Sequence, residues 1–234
     1  MPNSDYFAEM MTLDAINFNL NKYCKANILL AGPICSGKLP IVDGIKKWFS
    51  TVRSCNITLM NQASFYKPLH DIPTFSYGYN IDCLDAFYTD EFVKKVNTLF
   101  EKGITSSPYY NFDTWVRGMP EMEKHCTNEE QLKKFRTRCE LFTFHSNELV
   151  NIFFGTHVIF LLDKVVPNNC KIFLNTNFDT CMKRRLSAER YAKTASYKGI
   201  SGKRDYSDAV WEEVEWSIMP QKEMADLVIK EYVE

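Results

Sequence analysis

The segment AGPICSGKLP, residues 31–40, constrains this chain more than any other stretch. It carries Gly32, Gly37 and Lys38 at the spacing of the phosphate-binding pattern G-x-x-x-x-G-K-[ST]. In that pattern backbone amides cradle phosphates, the lysine reaches the outer phosphates and the final hydroxyl holds Mg²⁺. Position 39 is leucine, so the metal-binding hydroxyl is missing. The preceding NILLAG is an apolar run of strand length. The following LPIVDGIKKWF has apolar residues at 41, 42, 45, 48 and 49, a helical period. The loop therefore falls between a strand and a helix, where a helix N-terminus faces an anion. Pro40 fits the first helical turn, whose amides have no intrahelical partner.

The rest of the chain repeats the alternation. NITLM, HVIFLLD, KIFLNT and ADLVI read as further strands. TDEFVKKVNTLFEKG reads as a helix with Thr89 and acidic residues at its start and Gly103 at its end. Strands alternating with helices predict an α/β fold: a three-layer arrangement around a mainly parallel sheet. At 234 residues the chain suits one large domain. Residues 1–25 read as an N-terminal helix or arm, and 26–234 as the domain. The charge-dense stretch from Glu121 predicts one or two helices, with Thr127 and Glu130 forming a capping box.

A net charge of −1 gives no global attraction to nucleic acid or anionic membrane. The eight cysteines form no C-x-x-C pair, a pattern of reduced thiols, and no apolar run is long enough to span a bilayer. These features predict a soluble, cytoplasmic protein.

Several segments, in order, resemble the uridine kinases (uridine/cytidine kinases) of the P-loop superfamily over roughly residues 26–229. After SGK come QASFYKPL for the family's Q-D-S-F-Y, NIDCLDAF for N-F-D-H-P-D-A-F, and PYYNFDTWVR for P-V-Y-D-F-x-x-H-S-R. KIFLNTNFDTCMKRRL then stands for K-I-F-V-D-T-D-A-D-T-R-L-x-R-R, and RDYSDAVWEEVEWSIMPQKEMADLVI for the last helix and strand. The resemblance implies a P-loop fold, ATP or another nucleotide as ligand, and phosphoryl transfer to a nucleoside 5′-hydroxyl in pyrimidine salvage. It assigns Gly32, Ser36, Gly37, Lys38, Arg184, Arg185 and Arg204 to the nucleotide. It assigns Asp82, Tyr110, Trp115 and Arg117 to the nucleoside, with Trp115 in place of a family histidine.

The reactive positions depart from the family. Ala63 stands where the family has its proton-accepting aspartate, Leu39 replaces the Mg²⁺ hydroxyl, and Leu162 falls where the family has the glutamate of its E-G pair. Loss of a general base commonly costs about 10²- to 10⁴-fold in rate, and loss of a metal anchor several kcal/mol of charge stabilisation. The resemblance thus implies a nucleotide-binding pseudokinase acting as a binding or scaffold protein, with no Mg²⁺ ligand assigned. One alternative is an active uridine/cytidine kinase in which Asp163 and Asp113 supply the carboxylates; another is a kinase for a different acceptor, its pocket reshaped by Trp115 and Tyr110. The family has only a short hairpin where this chain carries about 118–155. That insertion, with the N-terminal arm, is the expected contact for a protein or ribonucleoprotein partner.

Overall fold

A computed structural model describes residues 4–53, 57–112, 115–117, 143–145, 148–188, 191 and 199–230. The main elements are α1 (Ser4–Tyr23), β1 (Ala26–Ala31), α2 (Lys38–Trp48), β2 (Thr58–Asn61), α3 (Thr89–Lys102), β3 (Val150–Gly155), α4 (Val158–Leu162), β4 (Asn169–Asn175), α5 (Phe178–Ser187), α6 (Gly199–Glu213) and β5 (Leu227–Lys230). The five strands form one parallel sheet in the order β5-β4-β1-β3-β2. The expected α/β fold and its glycine loop between the first strand and helix are both present.

Both faces of the sheet are covered, which explains why β1 is apolar at successive positions and buried throughout. Ile28 and Leu30 pack with Ile41, Val42 and Ile45 of α2 and with Leu13 and Ile16 of α1. Leu29 and Ala31 point to the other face, against Phe92, Val96 and Leu99 of α3 and Val158 and Ile159 of α4. Helix α3 buries one residue per turn and stops at Gly103, whose N–H donates to the Leu99 carbonyl. Helix α1, in the segment read above as an N-terminal arm, therefore contributes Leu13 and Ile16 to the core.

The run VIFLL, read above as a strand, is helix α4. A five-residue apolar run has no period long enough to separate strand from buried helix. What decides is the pair of buried glutamines at its start. Gln221 Oε1 accepts from the N–H groups of Ile159 (3.1 Å) and Phe160 (3.3 Å), and Gln62 Oε1 accepts from that of His157 (2.9 Å). Together they satisfy amides that a helix start leaves without partners. The strand of the sheet lies just upstream, as β3, flanked by β1 and β2.

Consequently the end of the 118–155 segment is central sheet rather than inserted material. Thr143–His145 pairs antiparallel with Ile104–Ser106. The helices expected from Glu121 lie outside the described residues. Among the described residues, no helix is long and apolar enough to cross a membrane, and the cysteines at 24, 83 and 170 are free thiols.

Candidate functional site

The site forms at the carboxyl end of the sheet, where β1 runs into the glycine loop. Gly37 sits at φ 96°, left-handed backbone that favours glycine, and turns the loop into α2. A Cβ on Gly32 would lie 2.8 Å from the Leu174 carbonyl oxygen, so the loop's first glycine is required by close approach to β4. Lys38 folds back over the loop: its Nζ donates to the carbonyls of Gly32 (2.6 Å) and Pro33 (2.7 Å), with Ser36 Oγ at 3.3 Å. Burial pulls its ammonium down to about 8, against the opposing pull of Cys181, Cys35 and Asp82. Two groups after β4 clamp the loop from the side. Thr176 Oγ1 donates to the Ser36 carbonyl (3.0 Å), and Arg184 Nη1 donates to that of Cys35 (3.2 Å).

A cavity of about 420 Å³ opens over this loop. Its cationic side chains are Lys38 and Arg184, and among the described residues lining it there is no aspartate or glutamate. Leu39 and Ala63 both line it. Strand β3 reaches it with Phe154 and Gly155, so an aromatic ring stands where a strand-end carboxylate was expected. Asn61 Oδ1, a neighbouring polar atom, already accepts from the Ala63 N–H (2.9 Å). Magnesium prefers oxygen ligands supplied by carboxylates and phosphates, and the described lining offers it neutral oxygens of Ser36, Asn61 and Thr156 but no carboxylate. Among the described residues no cluster of three or more His, Cys, Asp or Glu side chains could hold a metal ion. A phosphate fits better: a cationic lysine, a close-approach glycine and a helix N-terminus meet at one point.

The other expected site residues divide. Arg184 lines the cavity, but Arg185 does not. Arg185 Nη1 meets Asp82 Oδ2 at 2.7 Å, with side chains 2% and 1% exposed, and Nε donates to the Tyr206 hydroxyl (3.1 Å). Burial opposes the guanidinium charge, yet Asp82 and Tyr206 more than offset it and hold the group charged. Asp82 is thus held in a buried ion pair and does not line the cavity. Arg204 is largely exposed on α6, with Asp208 at 4.0 Å, away from the cavity. Tyr110 and Trp115 belong to a buried aromatic cluster, where Tyr110 donates its hydroxyl to the Lys67 carbonyl (3.0 Å). Arg117 pairs with Glu91 and lies 4.3 Å from the centre of the Tyr88 ring. None of these three lines the cavity.

Leu162 is fully buried in α4, and Asp163 at the end of that helix pairs with Lys171 (3.2 Å) near the start of β4. Both are therefore at the opposite end of the sheet from the loop, because the run that carries them is a helix leading away from β3. Asp163 does not line the cavity. Asp113 lies outside the described residues.

No family model and no curated protein matches the sequence. Solved structures do. A possible uridine kinase from Bacillus stearothermophilus aligns with a TM-score of 0.52 and 11% identity, covering 94% of this chain and 99% of that one. The fold is like that of P-loop kinases. A putative fructose transport system kinase from Silicibacter sp. TM1040 aligns with a TM-score of 0.50 and 13% identity, covering 87% and 89% of the two chains. A D-glycerate 3-kinase from Cryptococcus neoformans var. grubii gives 0.50 and 8%, covering 89% and 87%. At these identities the likeness is one of fold.

Within this P-loop kinase fold, several site residues have no signal in the glycine-loop pattern. His157 is fully buried beside the cavity, with Nδ1 2.8 Å from Thr156 Oγ1. Burial and then the nearby Lys38 charge pull its imidazole down to about 3, so it stays neutral. Tyr66, Phe87, Phe112 and Tyr191 line the cavity as well. The one available clue was FFG at the end of an apolar run, which marks where β3 meets the loop.

Proposed function

We propose that this chain is a phosphate- and nucleotide-binding protein of P-loop kinase fold that does not carry out phosphoryl transfer at kinase rates. The observation that carries this reading is the lining of the cavity: Lys38 and Arg184 remain, while Leu39 stands in place of the hydroxyl that follows the loop lysine and, with Ala63 and Phe154, leaves the described lining without a carboxylate to hold a metal or act as base. Phosphoryl transfer relies on a metal to neutralise charge and on a positioned nucleophile. Anion binding needs neither. The nucleotide therefore acts as a bound ligand that adds RT ln(1 + [L]/Kd) to stability, and the protein serves as a binding or scaffold component.

A thermal-shift titration with ATP, ADP, UTP, uridine and cytidine, each with Mg²⁺ and with EDTA, tests this alongside a coupled kinase assay. Expected are stabilisation by phosphorylated ligands in either condition, loss of it in Lys38→Ala, and no turnover. Turnover of uridine at an ordinary kinase rate, about 1–100 s⁻¹, would show that a group outside this lining supplies the chemistry.

A further inference from the structure

We propose that the part of the cavity walled by Tyr66, Phe87 and Phe112 takes an apolar ring, so that this part, beside the loop that holds a nucleotide's phosphates, prefers an organic phosphate with an aromatic alcohol part to a nucleoside monophosphate. This rests on the reading of the glycine loop as the phosphate site. Lys38 and Arg184 bring positive charge to the cavity, Ser36, Asn61 and Thr156 add neutral polar side chains, and Ala63, Tyr66, Phe87, Phe112, Phe154 and Tyr191 add apolar and aromatic surface.

That wall offers little to a sugar. Tyr66 donates its hydroxyl to the Ile81 carbonyl (3.0 Å), and its ring stacks on Phe87 with centroids 4.1 Å apart. Phe112 meets the Tyr66 ring edge-on at 6.3 Å. Asp82, the carboxylate expected to hold ribose hydroxyls, faces Arg185 and is 1% exposed. Thr156 Oγ1 is engaged with His157, and Asn61 Oδ1 with the Ala63 N–H. A ribose hydroxyl buried here without a partner among the described lining would cost roughly 1–3 kcal/mol. An aromatic ring would instead gain from apolar burial and edge or offset stacking. At about 420 Å³ the cavity is in the size range of small-molecule sites.

Calorimetric titration in EDTA with 1-naphthyl phosphate, 1-naphthol, inorganic phosphate and uridine monophosphate tests the proposal. 1-Naphthyl phosphate is expected to bind at least about tenfold more tightly than each of the other three, a difference of about 1.4 kcal/mol. Phe112→Ala should weaken naphthyl phosphate about fivefold or more while leaving inorganic phosphate unchanged, whereas Ala63→Asp, which adds a carboxylate to the same cavity, should weaken both. Uridine monophosphate binding as tightly as naphthyl phosphate would overturn the proposal. So would naphthyl phosphate no tighter than phosphate, or naphthol as tight as its ester. If ATP and phosphate bind but naphthyl phosphate gains nothing, only this inference fails. If no phosphate compound binds and Lys38→Ala matches the parent throughout, the loop reading falls with it.

Discussion

Replacing Asp82 by Asn should destabilise the fold far more than it affects ligand binding. The carboxylate meets the Arg185 guanidinium at 2.7 Å with both side chains at most 2% exposed. One oxygen of Asp82 and one Nη of Arg185 have no further hydrogen-bond partner among the described residues. The variant leaves the guanidinium charged and desolvated, and breaking a buried pair from one side costs about 3–5 kcal/mol. For a domain with a total stability of about 5–15 kcal/mol, that is roughly a fifth or more. At about 2–4 °C per kcal/mol for a chain of this size, the midpoint should fall by roughly 10 °C. Arg185→Met should behave alike, while the Asp82→Leu, Arg185→Met double variant should be more stable than either single change, since replacing both charges by apolar groups is often neutral or favourable. Urea unfolding of the four proteins gives the coupling energy, expected at about 2 kcal/mol or more. A loss below about 1 kcal/mol for Asp82→Asn, with weakened nucleoside binding, would refute the reasoning and return Asp82 to the ligand site.

Other outcomes follow from the same site. Lys38 titrates at about 8 in the fold against 10.5 ordinarily, so the unfolded chain binds more protons between those values. Stability should therefore rise with pH across that window, while phosphate affinity, read by calorimetry, falls about tenfold between roughly pH 7 and 9.5 as the ammonium is lost. His157 titrates at about 3 against 6.5, so here too the unfolded chain takes the extra proton. Stability should drop by about 1.4 kcal/mol per unit as pH falls below about 6.5, and His157→Gln should flatten that part of the urea profile. Gly155→Ala would set a Cβ 2.4 Å from the Cβ and Oε1 of Gln62, disturbing the cap on His157. Thermal denaturation should show a loss of about 1–3 kcal/mol.

The sheet was legible where periodicity and punctuation agreed. NILLAG followed by a glycine loop and an amphipathic helix could only be β1, loop and α2, and TDEFVKKVNTLFEKG marks both ends of α3. VIFLL was not legible, because its five residues suit strand and helix equally. Its state is set by Gln62 and Gln221, which are 95 and 62 residues away from the amides they cap. That misreading moved the expected carboxylate position from Phe154 to Leu162. The same limit applied to Asp82 and Arg185. Each matches a ligand-binding position in the family's pattern, but they are 103 residues apart in sequence and find each other only once α5 packs over the loop that carries Asp82. Leu39 and Ala63 needed no such partner, and their effect on the cavity could be read directly.

Calorimetric titration of ATP in saturating Mg²⁺ and in EDTA tests the central claim most directly. Lys38 and Arg184 at the cavity, with no carboxylate among its described lining, predict dissociation constants equal within about twofold in the two conditions. Binding at least about tenfold tighter with Mg²⁺, a gain of about 1.4 kcal/mol, would contradict it and show that the metal has a ligand in this site.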